Sequence, residues 1–256
     1  MIAVNENFSV VDEGDGWILL NKSAPLIVHP ANDRGDEATL IGGVEGLLAY
    51  EIANGARLSL INRLDRETSG LVMMATNKTV AREMSRAMAR REVAKSYDAI
   101  VRGWPEWDEK VVRAGILRKG DVDESAIYVK QMVHEEGKYC ETAMSVVQRY
   151  EVGGVRVSLL KVQPRTGRMH QIRVHAAYTG YALVGDKIYG EGEGCYLKFI
   201  ETGMDAEIEK KLLLPRHALH ASGFGIEVGG RMREWQIELA PDLAGFLSGG
   251  TEIDCF

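Results

Sequence analysis

The chain has 256 residues, of which 45% are hydrophobic and 27% are charged. This composition is typical of a globular protein and excludes the fibrous and low-complexity classes. The 31 basic and 37 acidic residues give a net charge of -6, which argues against a protein that coats nucleic acid through overall positive charge. No apolar run approaches the ~20 residues of a membrane-spanning helix, and the first residues lack a basic leader followed by an apolar core. We therefore expect a cytoplasmic protein with no membrane segment.

Apolar periodicity and turn residues divide the chain into strands and helices. Strands are predicted over 8–11, 17–20, 58–61, 71–75, 93–101, 143–150, 155–162, 218–228 and 232–239. Helices are predicted over 40–52, 77–90, 169–178 and 205–214, with Asn77 and Asp205 as N-caps. Because glycine turns join several neighbouring strands, the pattern favours an α+β fold with a mixed, largely antiparallel central sheet and flanking helices.

The domain organisation follows from length and spacing. We expect a single domain over 1–256, long enough to bury its own core. The stretch 104–141 is polar and irregular, and it resembles either a hairpin insertion or a mobile surface loop. Cys140, Cys195 and Cys255 show neither CxxC spacing nor a nearby histidine at ligand spacing, which predicts reduced thiols and no metal site.

Residues 62–70, NRLDRETSG, form the first segment that secondary structure alone explains poorly. The segment lies between two short apolar strands, so Asp65 is presented near strand ends, where a rigid scaffold holds reactive groups. Arg63 and Arg66 flank Asp65, and nearby guanidinium groups favour the ionised, nucleophilic carboxylate. The same residue types are good turn formers, and for the segment in isolation a turn is the favoured interpretation.

A second segment, 164–175, reads PRTGRMHQIRVH. If a helix begins near Met169, His170 and Arg173 project from one face, and Arg168 lies near the helix N-terminus, where an anion is favoured. This arrangement predicts a phosphate or carboxylate site. The alternative is that each residue is an ordinary surface or core side chain.

The helix that follows Asn77 carries Arg82, Arg86 and Arg90 at four-residue spacing. Like charges at this spacing repel, which indicates an anionic partner. The alternative is a solvated helix face that Glu83 partly neutralises.

Four segments together resemble the RluA family of pseudouridine synthases. They read RLDRETSGL, KSYDAIVRG, RTGRMHQIRVHAAYTGYALVGDKIYG and RHALHA, and the resemblance runs from about residue 10 to 239. It implies a catalytic domain alone, without the N-terminal S4 domain of some relatives. It also implies isomerisation of a specific uridine in ribosomal or transfer RNA, with base flipping and without cofactor or metal. We expect the protein to act on RNA as a monomer.

The resemblance also implies roles for individual residues. Asp65 aligns with the nucleophilic aspartate, and Tyr97 aligns with the tyrosine that stacks on the base and is implicated in removing the C5 proton. Arg173 aligns with the arginine that pairs with the aspartate, and Arg63 with the residue that replaces the flipped nucleotide in the duplex. Asn62 stands where the family usually has histidine, so a hydrogen bond that orients the loop must be made differently.

The remaining RNA contacts are expected from Arg168 and His170 and from the helix arginines Arg82, Arg86 and Arg90. Met169 replaces the usual threonine or serine, which affects only a local helix-cap contact. The pairs Gly185-Asp186 and Tyr189-Gly190 are interpreted as turns, and His220 as a core residue.

Two other functions are compatible with parts of the sequence. A carboxylate-dependent glycosidic-bond hydrolase needs a second positioned acid, and the nearest candidate, Glu67, is only two residues from Asp65. A noncatalytic RNA-binding module with the same fold would be indicated by loss of Asp65 or Tyr97, and both residues are present.

Overall fold

The computed structural model describes residues 2–5, 7–29 and 38–253, and the chain divides into two compact units. The first unit comprises Met1–Lys95 and Ala221–Glu238, and the second comprises Ser96–His220 and Leu239–Phe256. The strands are β1 (Ile2–Asn5), β2 (Phe8–Gly14), β3 (Trp17–Lys22), β4 (Ser59–Leu60), β5 (Ser69–Ala75), β6 (Ala94–Arg102), β7 (Glu109–Arg118), β8 (Gln131–Val133), β9 (Lys138–Val152), β10 (Val155–Pro164), β11 (Leu219–Val228), β12 (Arg231–Gln236) and β13 (Thr251–Ile253). The helices are α1 (Leu40–Leu47), α2 (Ala49–Ala53), α3 (Lys78–Arg90), α4 (Gln171–Tyr178), α5 (Glu193–Thr202), α6 (Ala206–Leu212) and α7 (Pro241–Ser248).

The sheet of the first unit is built around β5. Strands β1, β2, β3 and β5 are successive antiparallel neighbours, β4 pairs with β5, and β11 lies beside β5 and pairs with β12. All seven residues of β5 are buried. Its apolar side chains pack with neighbouring strands and with α3 in one core that contains Trp17, Leu19, Leu71, Met73, Met84, Phe224 and Ile226.

The second unit has an antiparallel sheet in the order β6, β10, β9, β7, β8, with β13 added to β9. Alternation along β6 sends Ala99 into a core that includes Ile172 of α4, whereas the adjacent Ile100 joins a core that includes Leu243 of α7. Helices therefore pack through apolar residues on both faces of this sheet, which confirms the predicted α+β class.

Most of the predicted elements are present, with shifted ends. Asn77 caps α3 by accepting a hydrogen bond from the backbone of Val80, as its side-chain type predicted. The helix predicted over 40–52 is interrupted at Leu48 and forms α1 and α2. The helix predicted from 169 begins at Gln171 instead, because His170 adopts a left-handed backbone with φ of 56°. The helix after Asp205 ends at Leu212, where Leu213 also turns left-handed.

The stretch 104–141 contains regular structure. β7 begins at Glu109 and pairs with β9 as far as Ile116, and its last three residues pair with β8. This strand was not predicted because several of its side chains are charged and face solvent, which obscures the apolar alternation of a strand. In the described part of the chain, no helix is long and apolar enough to cross a membrane. Cys140 and Cys195 are free and buried, and Cys255 lies outside the described residues.

Candidate active site

The loop that carries Asp65 connects β4 to β5, and Asn62 anchors it. The Asn62 side-chain oxygen accepts a hydrogen bond from the backbone N–H of Met73 at 2.8 Å. Its amide nitrogen donates to the backbone oxygen of Leu71 at 3.1 Å. Both groups of this buried side chain are therefore used to fasten the start of the loop to β5. In this chain, the side-chain amide of Asn62 thus attaches the loop to β5.

A second anchor is Lys22, at the end of β3, which sequence analysis did not identify. Its side chain is fully buried. The ammonium group donates to the backbone oxygens of Ser23 at 2.9 Å, Leu26 at 2.8 Å and Arg66 at 3.2 Å. A buried ammonium needs such acceptors to replace water, so Lys22 ties the residue after Asp65 to the turn that follows β3. The sequence feature that could have identified Lys22 is its position at the end of the mostly apolar segment WILLNK.

Gly70, at the end of the motif, is required by a close approach of backbones. Its φ is +111°, and a Cβ at this position would lie 2.3 Å from the backbone oxygen of Ala221 in β11. No side chain fits there. The loop therefore re-enters the sheet at a position where only glycine is tolerated.

Between these anchors, the Asp65 side chain is partly exposed, and Arg63 and Arg66 are exposed. The backbone oxygen of Asp65 accepts from Thr68 N at 3.1 Å, so the predicted turn is present as well. The loop is thus a turn, as its residue types suggested, and the Asp65 carboxylate within it is partly accessible to solvent.

Tyr97 lies on β6 of the second unit, opposite Val162 of β10. It is partly buried and packs against the core that contains Ala99, Val101 and Ile172. The alternation predicted for this strand is confirmed from Tyr97 to Val101. Packing fixes the ring against the sheet and leaves part of it accessible.

Arg173, on α4, is buried and forms an ion pair with Asp186. Its Nε donates to one carboxylate oxygen at 2.7 Å and its Nη2 donates to the other at 2.9 Å. Burial by itself would raise the pKa of Asp186, but the charge and hydrogen bonds of Arg173, aided by His217, hold this pKa well below its usual range. Asp186 was interpreted from sequence as part of a turn. The structure shows that it also binds Arg173.

Tyr189 brings Arg173 and His170 together. The guanidinium carbon of Arg173 lies 5.1 Å from the centre of the Tyr189 ring. The Tyr189 hydroxyl is hydrogen-bonded to Nδ1 of His170 at 2.8 Å. The two residues expected to share a helix face therefore meet at one tyrosine, although His170 precedes the helix.

The loop before α4 is shaped by Gln171. Its side-chain oxygen accepts from Thr166 Oγ1 at 2.7 Å and from the backbone of Arg168 at 3.1 Å, and its amide donates to Thr142 Oγ1 at 2.9 Å. These bonds close the segment TGRMHQ into a tight turn. Arg168 projects from this turn and is exposed, which suits contact with an anionic partner.

Arg82, Arg86 and Arg90 are all exposed on α3, on the side opposite the buried Met84. Arg90 has an acidic neighbour, Glu92, at 4.0 Å, and both side chains are more than half exposed. The arginines form a solvent-facing stripe, as their spacing predicted. Among the described residues, no group of three or more histidine, cysteine or acidic side chains is placed to hold a metal ion.

Comparison with known proteins agrees with the motifs. The family model for RNA pseudouridylate synthase matches residues 16–178. Ribosomal large subunit pseudouridine synthase C of Haemophilus influenzae is 35% identical over 190 residues, which are 74% of this chain and 55% of that protein. The protein of the same name from Escherichia coli is 33% identical over 184 residues, 72% of this chain and 54% of that protein. The chain spans about half the length of the curated relatives that it matches.

Solved structures resemble the whole chain. Human RNA pseudouridylate synthase domain containing 1 superposes with a TM-score of 0.72 at 25% identity, covering 98% of this chain and 91% of that one. Human RNA pseudouridylate synthase domain containing 4 has the same fold, with a TM-score of 0.71, 21% identity and coverage of 94% and 92%. The match to the family model, the identity to the bacterial relatives and the fold agree, and the chain belongs to the RNA pseudouridylate synthase family.

Proposed function

We propose that this chain is an RNA pseudouridine synthase that converts a uridine of ribosomal RNA to pseudouridine. Family membership supports the reaction, and the names of the bacterial relatives support large-subunit ribosomal RNA as the substrate. We propose that residues 1–256 form a single catalytic domain. We propose a cytoplasmic location, in keeping with a ribosomal RNA substrate.

The reaction is an isomerisation, so its atoms balance within the substrate. The N1–C1′ bond breaks, the uracil rotates, a C5–C1′ bond forms, C5 loses a proton and N1 gains one. We propose that Asp65 is the nucleophile, that Tyr97 stacks on the uracil and takes the C5 proton, and that Arg173 supplies positive charge at the reaction centre.

The target base must leave the helical stack before it can react, and this step costs a few kcal/mol that protein contacts must offset. Arg63 is exposed and two residues from Asp65, so it is suited to fill the space that the flipped nucleotide leaves. Arg168, His170 and the α3 stripe of Arg82, Arg86 and Arg90 would bind the RNA backbone around it.

The observation that carries the proposal is the fixed Asp65 loop. Asn62 fastens the loop at its start, Lys22 fastens it at Arg66, and Gly70 fits it against β11. A nucleophile must be held in reactive geometry, whereas a simple surface turn needs no buried lysine beneath it. Three anchors on one short loop therefore favour a catalytic role for its carboxylate.

The test uses large-subunit ribosomal RNA transcribed with tritium at uracil C5, because pseudouridine formation releases this hydrogen to water. The wild-type chain should release tritium from this RNA and not from transfer RNA. Asp65→Asn should bind the RNA and release none, while Glu67→Gln, which changes a carboxylate in the same loop, should remain active. Release of free uracil would instead identify a hydrolase, and binding without any release by the wild type would identify a noncatalytic module.

The modified position can be identified in cells. Pseudouridines are mapped across the RNA of a strain that lacks this protein and of its parent. One or a few sites in ribosomal RNA should disappear. Loss confined to transfer RNA would contradict the proposed substrate.

A further inference from the structure

The guanidinium group of Arg173 is held on two sides within the second unit. Asp186 binds Nε and Nη2, and both side chains of this ion pair are almost completely buried, with exposed fractions of 6% and 0%. A bidentate pair fixes the plane of the guanidinium as well as its position. As a consequence, the direction in which Nη1 of Arg173 points is fixed as well.

Asp186 is itself fixed by the backbone. Its Oδ1 also accepts hydrogen bonds from the N–H groups of Ile188 at 2.9 Å and Tyr189 at 3.1 Å. The carboxylate therefore cannot rotate without breaking bonds to its own turn. The turn predicted from sequence therefore fixes the Asp186 carboxylate that binds Arg173.

Tyr189, three residues later, supports the guanidinium from a second direction. Its ring lies 5.1 Å from the guanidinium carbon, within cation–π distance. Its hydroxyl accepts from the backbone N–H of Gln131 in β8 at 2.9 Å and is bonded to His170. These two bonds keep the ring from moving away from Arg173.

We propose that Asp186 and Tyr189 are positioning residues that hold Arg173 in its catalytic orientation before RNA binds. This inference rests on the proposed function and adds two residues to its machinery, neither of which touches the reacting atoms. A cation that is already oriented stabilises developing charge without reorganisation during the reaction. The alternative is that the pair serves stability alone, as many buried ion pairs do.

The second unit contains a matched control for this alternative. Arg216 binds Asp242 through the same two nitrogens and at the same distances, 2.7 and 2.9 Å. Arg216 is buried, and this pair connects the segment before β11 to the first turn of α7. Asp186→Asn and Asp242→Asn therefore each remove the charged partner of a buried arginine, although the Asp242 side chain is 48% exposed and that of Asp186 is fully buried.

The first experiment compares these variants by thermal unfolding and by single-turnover tritium release at saturating RNA. We expect both to unfold at lower temperature, Asp186→Asn to lose about 100-fold in rate, and Asp242→Asn to keep the wild-type rate. RNA affinity should be unchanged in both. Equal rates for Asp186→Asn and the wild type would overturn the positioning role, and so would equal rate losses in the two variants.

The second experiment separates positioning from folding by chemical rescue. Arg173→Ala should be slow, and millimolar guanidinium chloride should restore part of its rate because Asp186 and Tyr189 still form the binding place. The double variant Arg173→Ala with Asp186→Asn should not be rescued. Equal rescue of both variants would show that Asp186 does not position the guanidinium.

Tyr189 variants provide a third comparison that does not depend on Asp186→Asn folding. Tyr189→Leu removes the ring beneath the guanidinium and should slow single turnover about tenfold. Tyr189→Phe keeps the ring and loses only the hydroxyl bonds, so its loss should be smaller. A larger loss for the phenylalanine variant would contradict the role of the ring.

The two proposals fail in different ways. A wild-type chain that makes no pseudouridine in any RNA would refute the proposed function. An active wild type whose Asp186 and Tyr189 variants react at the normal rate would refute the positioning role alone. The Arg173 Nε–H signal in proton–nitrogen correlation spectra should be protected in the wild type and lost in Asp186→Asn, whether or not the chain is active.

Discussion

Asn62 and Met73 are joined by a hydrogen bond from the Met73 backbone to the Asn62 side chain, 2.8 Å long and buried. The same side chain donates to Leu71, so one amide satisfies a donor and an acceptor of β5. Asparagine suits this place because its amide presents both groups at once. The departure from the family's usual histidine thus keeps the loop attached to the sheet.

We expect Asn62→Leu to destabilise the protein by about 2 kcal/mol, because the N–H of Met73 and the oxygen of Leu71 would be left without this partner. Urea unfolding measures this change. Turnover of the folded variant should also fall, since the Asp65 loop loses an anchor. Asn54→Leu, which removes an exposed hydrogen bond to the Tyr50 backbone oxygen at the end of α2, is the control and should destabilise the protein less than Asn62→Leu. Equal stability of Asn62→Leu and the wild type would contradict this account.

Tyr97→Phe should bind RNA nearly as well as the wild type and fail to complete the isomerisation. The ring that packs against the core and stacks on the base is retained, while the group proposed to take the C5 proton is removed. Equilibrium binding and tritium release measure the two effects separately. Tyr181→Phe, which removes a hydroxyl from a tyrosine packed on the same core, should stay active. Full activity of Tyr97→Phe would show that another group takes the proton.

Glu193 should make stability depend on acid. Hydrogen bonds from Lys119 and Lys130, each 3.1 Å long, lower the pKa of this carboxyl to about 2. A carboxyl whose pKa is lower in the folded state stabilises the protein fully above its unfolded pKa of about 4.3, and this contribution is lost as pH falls towards 2.

The prediction is that Glu193→Gln lowers the melting temperature at pH 7 and that the difference from the wild type narrows steadily below about pH 4. Thermal unfolding at several pH values measures it. Glu201→Gln, which changes an exposed carboxylate on the same helix, should show no such trend. A difference that is constant from pH 7 to pH 3 would indicate that the lysine contacts do not act through charge.

The arginine stripe on α3 predicts a salt-dependent RNA affinity in spite of the net charge of -6. Replacing Arg86 and Arg90 by glutamine should raise the dissociation constant and flatten its log–log dependence on salt by about 0.7 per lost phosphate contact on single-stranded RNA. Saturating turnover should change little, because these residues bind the RNA backbone. Lys210→Gln with Lys211→Gln on α6 is the charge-matched control. An unchanged salt slope would identify the stripe as a solvated helix face.

Features that depend on near neighbours along the chain were predictable from the sequence. Asn77 predicted the start of α3, the pair Gly229-Gly230 predicted the turn between β11 and β12, and alternation along β6 placed Tyr97 on the same face as Ala99. Caps, glycine turns and side-chain periodicity act within a few residues, so they can be read without knowing the fold. The motifs around residues 65 and 170 identified the family for a similar reason, since each is contiguous.

The residues that support those motifs became apparent only in the folded chain. Lys22 contacts the loop at Arg66 across 44 positions, and Asp186 reaches Arg173 from a separate turn. From the sequence alone, Lys22 is interpreted as the end of a strand and Asp186 as part of a turn, because the partners of both residues are distant along the chain. The start of α4 was also decided at long range, where Tyr189 binds His170 and Gln171 bonds to Thr142 of β9. Buried polar groups must find partners wherever the fold brings them, and local pattern does not specify those partners.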